Sequence, residues 1–204
     1  MDKTPKQREK QTQILEAARE LLAAKGPREV TAANLAKHLG WKTPGLYYYF
    51  DDLHSIFEAV LSQLIQENLA VSYRALEAAS SGKQGLVDVF SCRIHHNFQH
   101  PKDFEFIWHH SSPKPLSPEF LKSNIYSPVQ GFNDLLEARL AEDQNAGLIN
   151  PRLELRALIN VMDCLAQGIC GTYLHVEKSQ GKMRYPVDQL IVEGQKTLCA
   201  ALGL

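Results

Sequence analysis

Apolar residues in this chain recur at helical spacing and never at strand spacing. Ile14, Ala17, Ala18, Leu21 and Leu22 fall at i, i+3, i+4, i+7 and i+8, which is one face of a helix. Ile56, Val60, Leu61, Leu64 and Ile65 form a second such stripe. No segment of any length alternates with the two-residue period of a half-buried strand. The expected class is therefore all-α. The chain has 204 residues and is 44% hydrophobic, enough for one large domain or for a small one beside a larger one. There is no repeat and no low-complexity tract.

Helix punctuation divides the chain. Thr4 before Pro5 suits a helix start, and Gly26-Pro27 a stop. Thr31 caps a second helix, with Val30 and Leu35 spaced as a hydrophobic staple. Leu35 and Leu39 face inward, and Gly40 ends that helix at positive φ. Thr43 is expected to cap a third helix with Pro44 at its first position and Leu46 and Phe50 as core anchors. From Asp51 or Asp52 a long helix runs to about Ala79, broken by Ser80-Ser81-Gly82. Helices are then expected over Gln84–Gln99, Asp103–His110, Glu119–Ala146 with an interruption near Pro128, Arg152–Val176 and Pro186–Leu202. The proline-rich stretch Ser111–Pro118 reads as a loop.

Helix, glycine turn, helix is the order of a helix-turn-helix, with the second helix presenting its N-terminal end outward. Unpaired N–H groups at such an end favour phosphate oxygens. Lys42 stands just before it, able to meet a phosphate or a guanine edge. Pro44 and Gly45 are small enough for close approach to a groove. Tyr47, Tyr48 and Tyr49 cannot all be buried beside Leu46 and Phe50, so one or two must project outward. The charge fits this reading. Residues 1–50 carry nine Lys/Arg against five acids, and the remainder thirteen against eighteen, so a basic head joins an acidic body.

The block resembles the DNA-binding domain of the tetracycline-repressor (TetR) family over about residues 10–62. The resemblance rests on Val30-Thr31-Ala32-Ala33-Asn34-Leu35-Ala36, on the Leu39-Gly40-Trp41 turn, and on the ending Leu46-Tyr47-Tyr48-Tyr49-Phe50 before a long fourth helix. It implies phosphate contacts from Thr31, Tyr47 and Tyr49. It implies base-edge or groove contacts from Lys42, Thr43, Pro44, Gly45 and Tyr48. One position departs: where the family usually has a backbone-touching lysine after the phenylalanine, this chain has Leu53, preceded by Asp51 and Asp52. His54 is a candidate substitute, and the acids are candidate caps of the fourth helix.

The resemblance further implies a domain organisation of 1–50 for DNA binding and 51–204 for effector binding and dimerisation. The residues give their own hints. The helix expected over Arg152–Val176 carries apolar residues around much of its circumference, so more than one side should be buried. The last helix places Val187, Leu190, Ile191, Gly194, Leu198, Ala201 and Leu202 on one stripe. Two such helices per subunit would make a four-helix interface between copies; a core within one chain is the competing account. The middle of the chain is rich in aromatics and histidines, including His95, His96, His109 and His110. Phe98, Phe104, Trp108, Tyr126, Met162 and Tyr173 are candidates to line a pocket for a small molecule. Ordinary core aromatics with surface histidines is the alternative. No histidine pair has the spacing of a zinc helix, so no metal or other cofactor is expected.

No apolar run approaches the roughly 18 residues of a membrane span, and no secretory leader is visible. Cys92, Cys164, Cys170 and Cys199 include no Cys-x-x-Cys pair and read as buried thiols in a reducing cytoplasm. Asp103, Glu105 and the histidines offer acid–base groups, but no nucleophile elbow, phosphate loop or metal motif accompanies them, so no enzyme is expected. The expected function is transcription regulation by a homodimer on double-stranded operator DNA, as a repressor released by a small hydrophobic or aromatic effector, with no membrane partner. The alternative is a DNA-binding protein controlled by a protein partner, or one with no small-molecule effector.

Overall fold

The computed structural model describes residues 4–108 and 115–203. His109 and His110, and Ser111–Lys114 of the expected loop, lie outside them. The described residues form helices and connections with no strand. The fold is all-α, with a helix-turn-helix at its N-terminal end. The elements are α1 (Pro5–Lys25), α2 (Ala32–His38), a 3-10 turn (Thr43–Gly45), α3 (Leu53–Ala78), α4 (Gly82–Gln99), α5 (Pro101–Trp108), α6 (Pro118–Phe120), a π segment (Leu121–Tyr126), α7 (Ser127–Asn145), α8 (Leu155–Lys178) and α9 (Val187–Leu202). They fall into two compact units. One runs to Ile65 and takes in the segment from Lys102 to Ile125; the other holds Gln66–Pro101 and the chain from Tyr126 onward.

The first unit begins as its sequence demands. Thr4 caps α1 in a reciprocal box with Gln7, and Gly26 ends it at φ 78°. Ile14, Ala17, Ala18, Leu21 and Leu22 are buried together. Thr31 and Asn34 form a second box at the start of α2, while the staple pair Val30 and Leu35 is buried. Gly40 takes φ 70°, as expected. The start of α3 is capped by Asp52, whose carboxylate accepts from the Ser55 N–H at 2.8 Å. Ile56, Phe57, Val60 and Leu61 of α3 are fully buried, with Phe57 edge-on to Phe106 of α5 at 6.4 Å. Each such side chain contributes roughly 1.5–3 kcal/mol by leaving water. Arg19 of α1 grips Asp103 of α5 with two N–H groups, at 3.3 and 2.7 Å.

In the second unit α4 is packed by α7, α8 and α9. Its inward residues Leu86, Val89, Phe90 and Ile94 have no exposed surface. Helix α7 clamps the α3–α4 corner at both sides. Arg139 donates to the Ala79 carbonyl at 3.0 Å, covering an orphan acceptor at the end of α3. Buried Asp143 accepts from the Lys83 N–H at 2.6 Å, covering an orphan donor at the start of α4. The expected interruption near Pro128 is the π segment just before α7. Pro128 has no N–H to offer the Asn124 carbonyl, so an α ladder cannot run through that turn unchanged.

Helix α8 differs from its sequence reading. By length and composition it is apolar enough to cross a membrane, and 28% of that window is buried in the chain. The apolar residues here are interrupted by single polar ones, so no unbroken run announces them. The cysteine expectation also needs correction. Only Cys170 is fully buried; Cys92 and Cys199 are partly covered and Cys164, on α8, is exposed. Spacing tells that a thiol is unpaired, not which face of its helix points outward. Burial pushes the Cys170 thiol up to about 11, with an Asn97 N–H acting weakly in the opposite direction. Burial likewise raises Cys92 to about 11. A disulfide reagent at about pH 8 is expected to leave Cys170 unmodified in the folded protein and to label it after unfolding in urea. Equal labelling before and after would contradict its placement.

Candidate nucleic-acid interface

The exposed tip of the helix-turn-helix is built on one buried anchor. Leu46 has no exposed surface, and it carries Tyr47 and Tyr48 outward at 47% and 71% exposure. Phe50, expected as a second anchor, is only half-buried. The third helix is not the regular α-helix that the sequence suggested. Thr43–Gly45 is a 3-10 turn, followed by further turns. Gly45 N–H donates to the Lys42 carbonyl at 2.9 Å, Leu46 to Thr43 at 3.1 Å and Tyr49 to Leu46 at 3.0 Å. Thr43 is not the cap: Lys42 holds that position and no side chain bonds a free N–H. Pro44 and Gly45 explain the difference. One brings no N–H and the other has weak helix propensity, so the tighter turn wins. A single 3-10 turn has little macrodipole, so attraction for an anion falls to the exposed Lys42 ammonium.

The remaining candidate residues are placed as follows. Thr31 is exposed and its hydroxyl oxygen accepts from the Asn34 N–H at 3.2 Å, leaving its proton available to an outside acceptor. Pro44 is exposed, and Thr43 and Gly45 are half-covered. Tyr49 is half-buried: its carbonyl accepts from the Gln11 side chain at 3.0 Å, and its ring meets Trp41 at 6.0 Å and Tyr48 at 5.0 Å. These long-range neighbours from α1 and the turn were not legible, because 38 residues separate Gln11 from Tyr49. His54 is turned onto Glu58, 3.3 Å away and one helical turn on, and its side chain is mostly covered. It is not presented as a substitute for the missing lysine.

A model of the bacterial regulatory proteins of the tetR family matches residues 14–60, the span that contains this tip. Residues 14–60 thus carry the sequence pattern of a tetR-family DNA-binding domain. No curated protein matches it. Solved structures share the TetR-like fold over nearly the whole chain. A TetR/AcrR-family regulator from Thermobifida fusca superposes with a TM-score of 0.75 at 16% identity, covering 93% of this chain and 96% of that one. The fatty acid degradation regulator FadR from Bacillus halodurans gives 0.71 at 16% identity, covering 97% and 96%. FadR from Bacillus subtilis, solved in complex with stearoyl-CoA, gives 0.73 at 17% identity, covering 93% and 98%.

The candidate effector residues are divided between the two units. Phe104 and Trp108 stack at 5.7 Å in the first unit, with Phe104 buried and Trp108 exposed. In the second unit Phe98 meets Tyr173 edge-on at 5.1 Å, and the Tyr173 hydroxyl donates to the Tyr185 carbonyl. Met162 is wholly buried and Tyr126 is exposed. Sequence reasoning missed the polar interior of this unit. Arg93 of α4 forms an ion pair with Asp163 of α8, donates to the Ser72 hydroxyl at 2.7 Å and lies 5.0 Å from the Phe132 ring. Asn97 accepts from Asn68 at 2.9 Å. Asp163 within an apolar helix was the one available signal, since a buried acid needs a partner.

Proposed function

We propose that this chain is a regulator of the TetR family and acts as a homodimeric repressor. Residues 1–50 read a near-palindromic operator, and residues 51–204 bind a small hydrophobic or aromatic effector and hold the two copies together. The observation that carries the DNA reading is the pair of exposed phenols, Tyr47 and Tyr48, beside exposed Lys42 on an anchor with no exposed surface. Thr31, Thr43, Pro44, Gly45 and Tyr49 complete the contact surface. Two such tips would enter successive major grooves roughly 34–36 Å apart.

The pairing reading is supported by α8 and α9. Val161, Cys164 and Leu165 of α8 are exposed, as is Val192 of α9. Nothing lies within 4 Å of a Cβ placed on Gly168 or Gly171, so another helix has room to approach α8 closely. A second copy is the natural cover for such a face in a regulator that reads a two-fold site. The effector reading is supported by the aromatic pairs Phe98–Tyr173 and Phe104–Trp108, with Tyr126 and Met162 as further candidates. The stearoyl-CoA bound by the Bacillus subtilis FadR neighbour makes long-chain acyl thioesters the first compounds to test. An effector acts only through its difference in affinity between the DNA-competent and DNA-released states.

Selection of duplexes from a random pool is the deciding experiment. A palindromic consensus is expected; an unsymmetrical site or no enrichment overturns the reading. Against that operator, Lys42→Ala is expected to weaken binding and to lower the salt slope by about one. Unchanged affinity and slope would remove Lys42 from the interface. Tyr48→Ala is expected to narrow the ratio between operator and random DNA by about tenfold, from loss of a contact worth about 1–3 kcal/mol of discrimination. A uniform loss on both duplexes would make Tyr48 a backbone contact instead.

A further inference from the structure

Tyr48 is 71% exposed, so no core packing sets the direction of its ring. What borders it is a chain of contacts leading back to α1. The Tyr48 ring stands edge-on to Tyr49 at 5.0 Å and 80°. Tyr49 meets Trp41 at 6.0 Å and 40°. The Lys10 ammonium of α1 lies 5.2 Å from the centre of the Trp41 ring. Gln11, the next residue of α1, holds the backbone of the same tyrosine through its 3.0 Å hydrogen bond to the Tyr49 carbonyl. The Lys10 ammonium also donates to Gln13 at 2.9 Å.

We propose that Lys10 and Trp41 are positioning residues for DNA reading: the cation and ring chain from α1 through Trp41 and Tyr49 sets the direction in which Tyr48 meets the groove. This rests on the DNA reading above and deepens it. The physical reason lies in the turn itself. Tyr48 lies in the irregular turns that follow the 3-10 segment, where no regular helix fixes a projecting side chain. Edge-to-face rings and a cation over a ring both have preferred geometries, so they restrict rotation where close packing is absent. Lys10 in this role is not a phosphate contact. Its ammonium is committed to Trp41 and Gln13, and its removal should alter the choice of sequence and not the count of neutralised phosphates.

Trp41 emission is read in the chain carrying Trp108→Phe, where Trp41 is the sole tryptophan, and DNA binding in the chain that keeps Trp108. Lys10→Met removes the charge and keeps most of the stem. In the free protein it is expected to shift Trp41 emission, since a fixed cation leaves the ring. On the operator it is expected to reduce affinity about two- to fivefold, the size of an exposed cation–ring contact, while affinity for a random duplex and the salt slope stay the same. Trp41→Phe is expected to retain the preference for operator, and Trp41→Ala to lose at least as much as Lys10→Met. The proposal fails if Trp41 emission does not move in Lys10→Met, or if operator preference survives intact. It also fails if both duplexes weaken equally with a slope lower by about one, which would make Lys10 a direct phosphate contact. A parent protein that enriches no sequence sinks the DNA reading and this proposal with it, whatever the emission shows. A parent that enriches a site while Lys10→Met reads it unchanged sinks this proposal alone.

Discussion

Gly82→Ala is expected to destabilise the protein by about 3 kcal/mol or more, at the upper end for overpacked sites. A Cβ at residue 82 would lie 2.3 Å from the Arg139 carbonyl oxygen and 2.5 Å from the Leu140 nitrogen. Both are backbone atoms of α7, so no side chain can rotate away. The start of α4 must then move off α7. That movement also stretches the 2.6 Å hydrogen bond from Lys83 N–H to Asp143 and leaves a buried carboxylate short of a donor. Thermal unfolding should register a fall of about 6–12 °C for a chain of this length. Gly131→Ala is the control. Nothing lies within 4 Å of its Cβ, and it sits inside α7, where alanine is the better helix former. A Gly82→Ala protein as stable as the parent would show that α4 does not approach α7 as described.

Leu165→Glu is expected to convert the proposed dimer to monomer. Leu165 is exposed on α8 in the single chain, so the change costs the subunit little. Between two copies it would bury two unpaired carboxylates, which costs several kcal/mol. Light scattering should report half the parent mass. Operator affinity should drop by about a hundredfold or more as two linked half-site contacts become independent, while an isolated half-site is bound as before. An unchanged mass would show that this face of α8 is not where copies meet.

Much of the fold was legible because its signals are local. The caps of α1 and α2, the staple Val30–Leu35 and the positive φ of Gly40 each depend on residues within four or five positions of one another. The apolar stripes of α1 and α3 are buried as their spacing requires. The errors arose where two local signals conflicted. Thr43-Pro44-Gly45 carries a cap and a first-turn proline, which favour a helix, and a glycine, which does not. The observed 3-10 turn is the compromise. The outward phenols followed from simple crowding, but which tyrosine stays half-buried depended on Gln11, far back in the chain.

Sequence alone established the helical class, the order of elements, the position of the helix-turn-helix and its likeness to the TetR family. Each follows from short-range periodicity, capping and a short motif. Only the folded chain settled which polar groups meet: Arg93 with Asp163, Arg19 with Asp103, and Lys10 with the Trp41 ring. Those pairs join residues 31 to 84 positions apart or, within the second unit, 70, and their choice depends on how helices rotate about their own axes when packed. A rotation of one residue carries a side chain through about 100° of the helix circumference, which no local pattern specifies closely enough to name its distant partner.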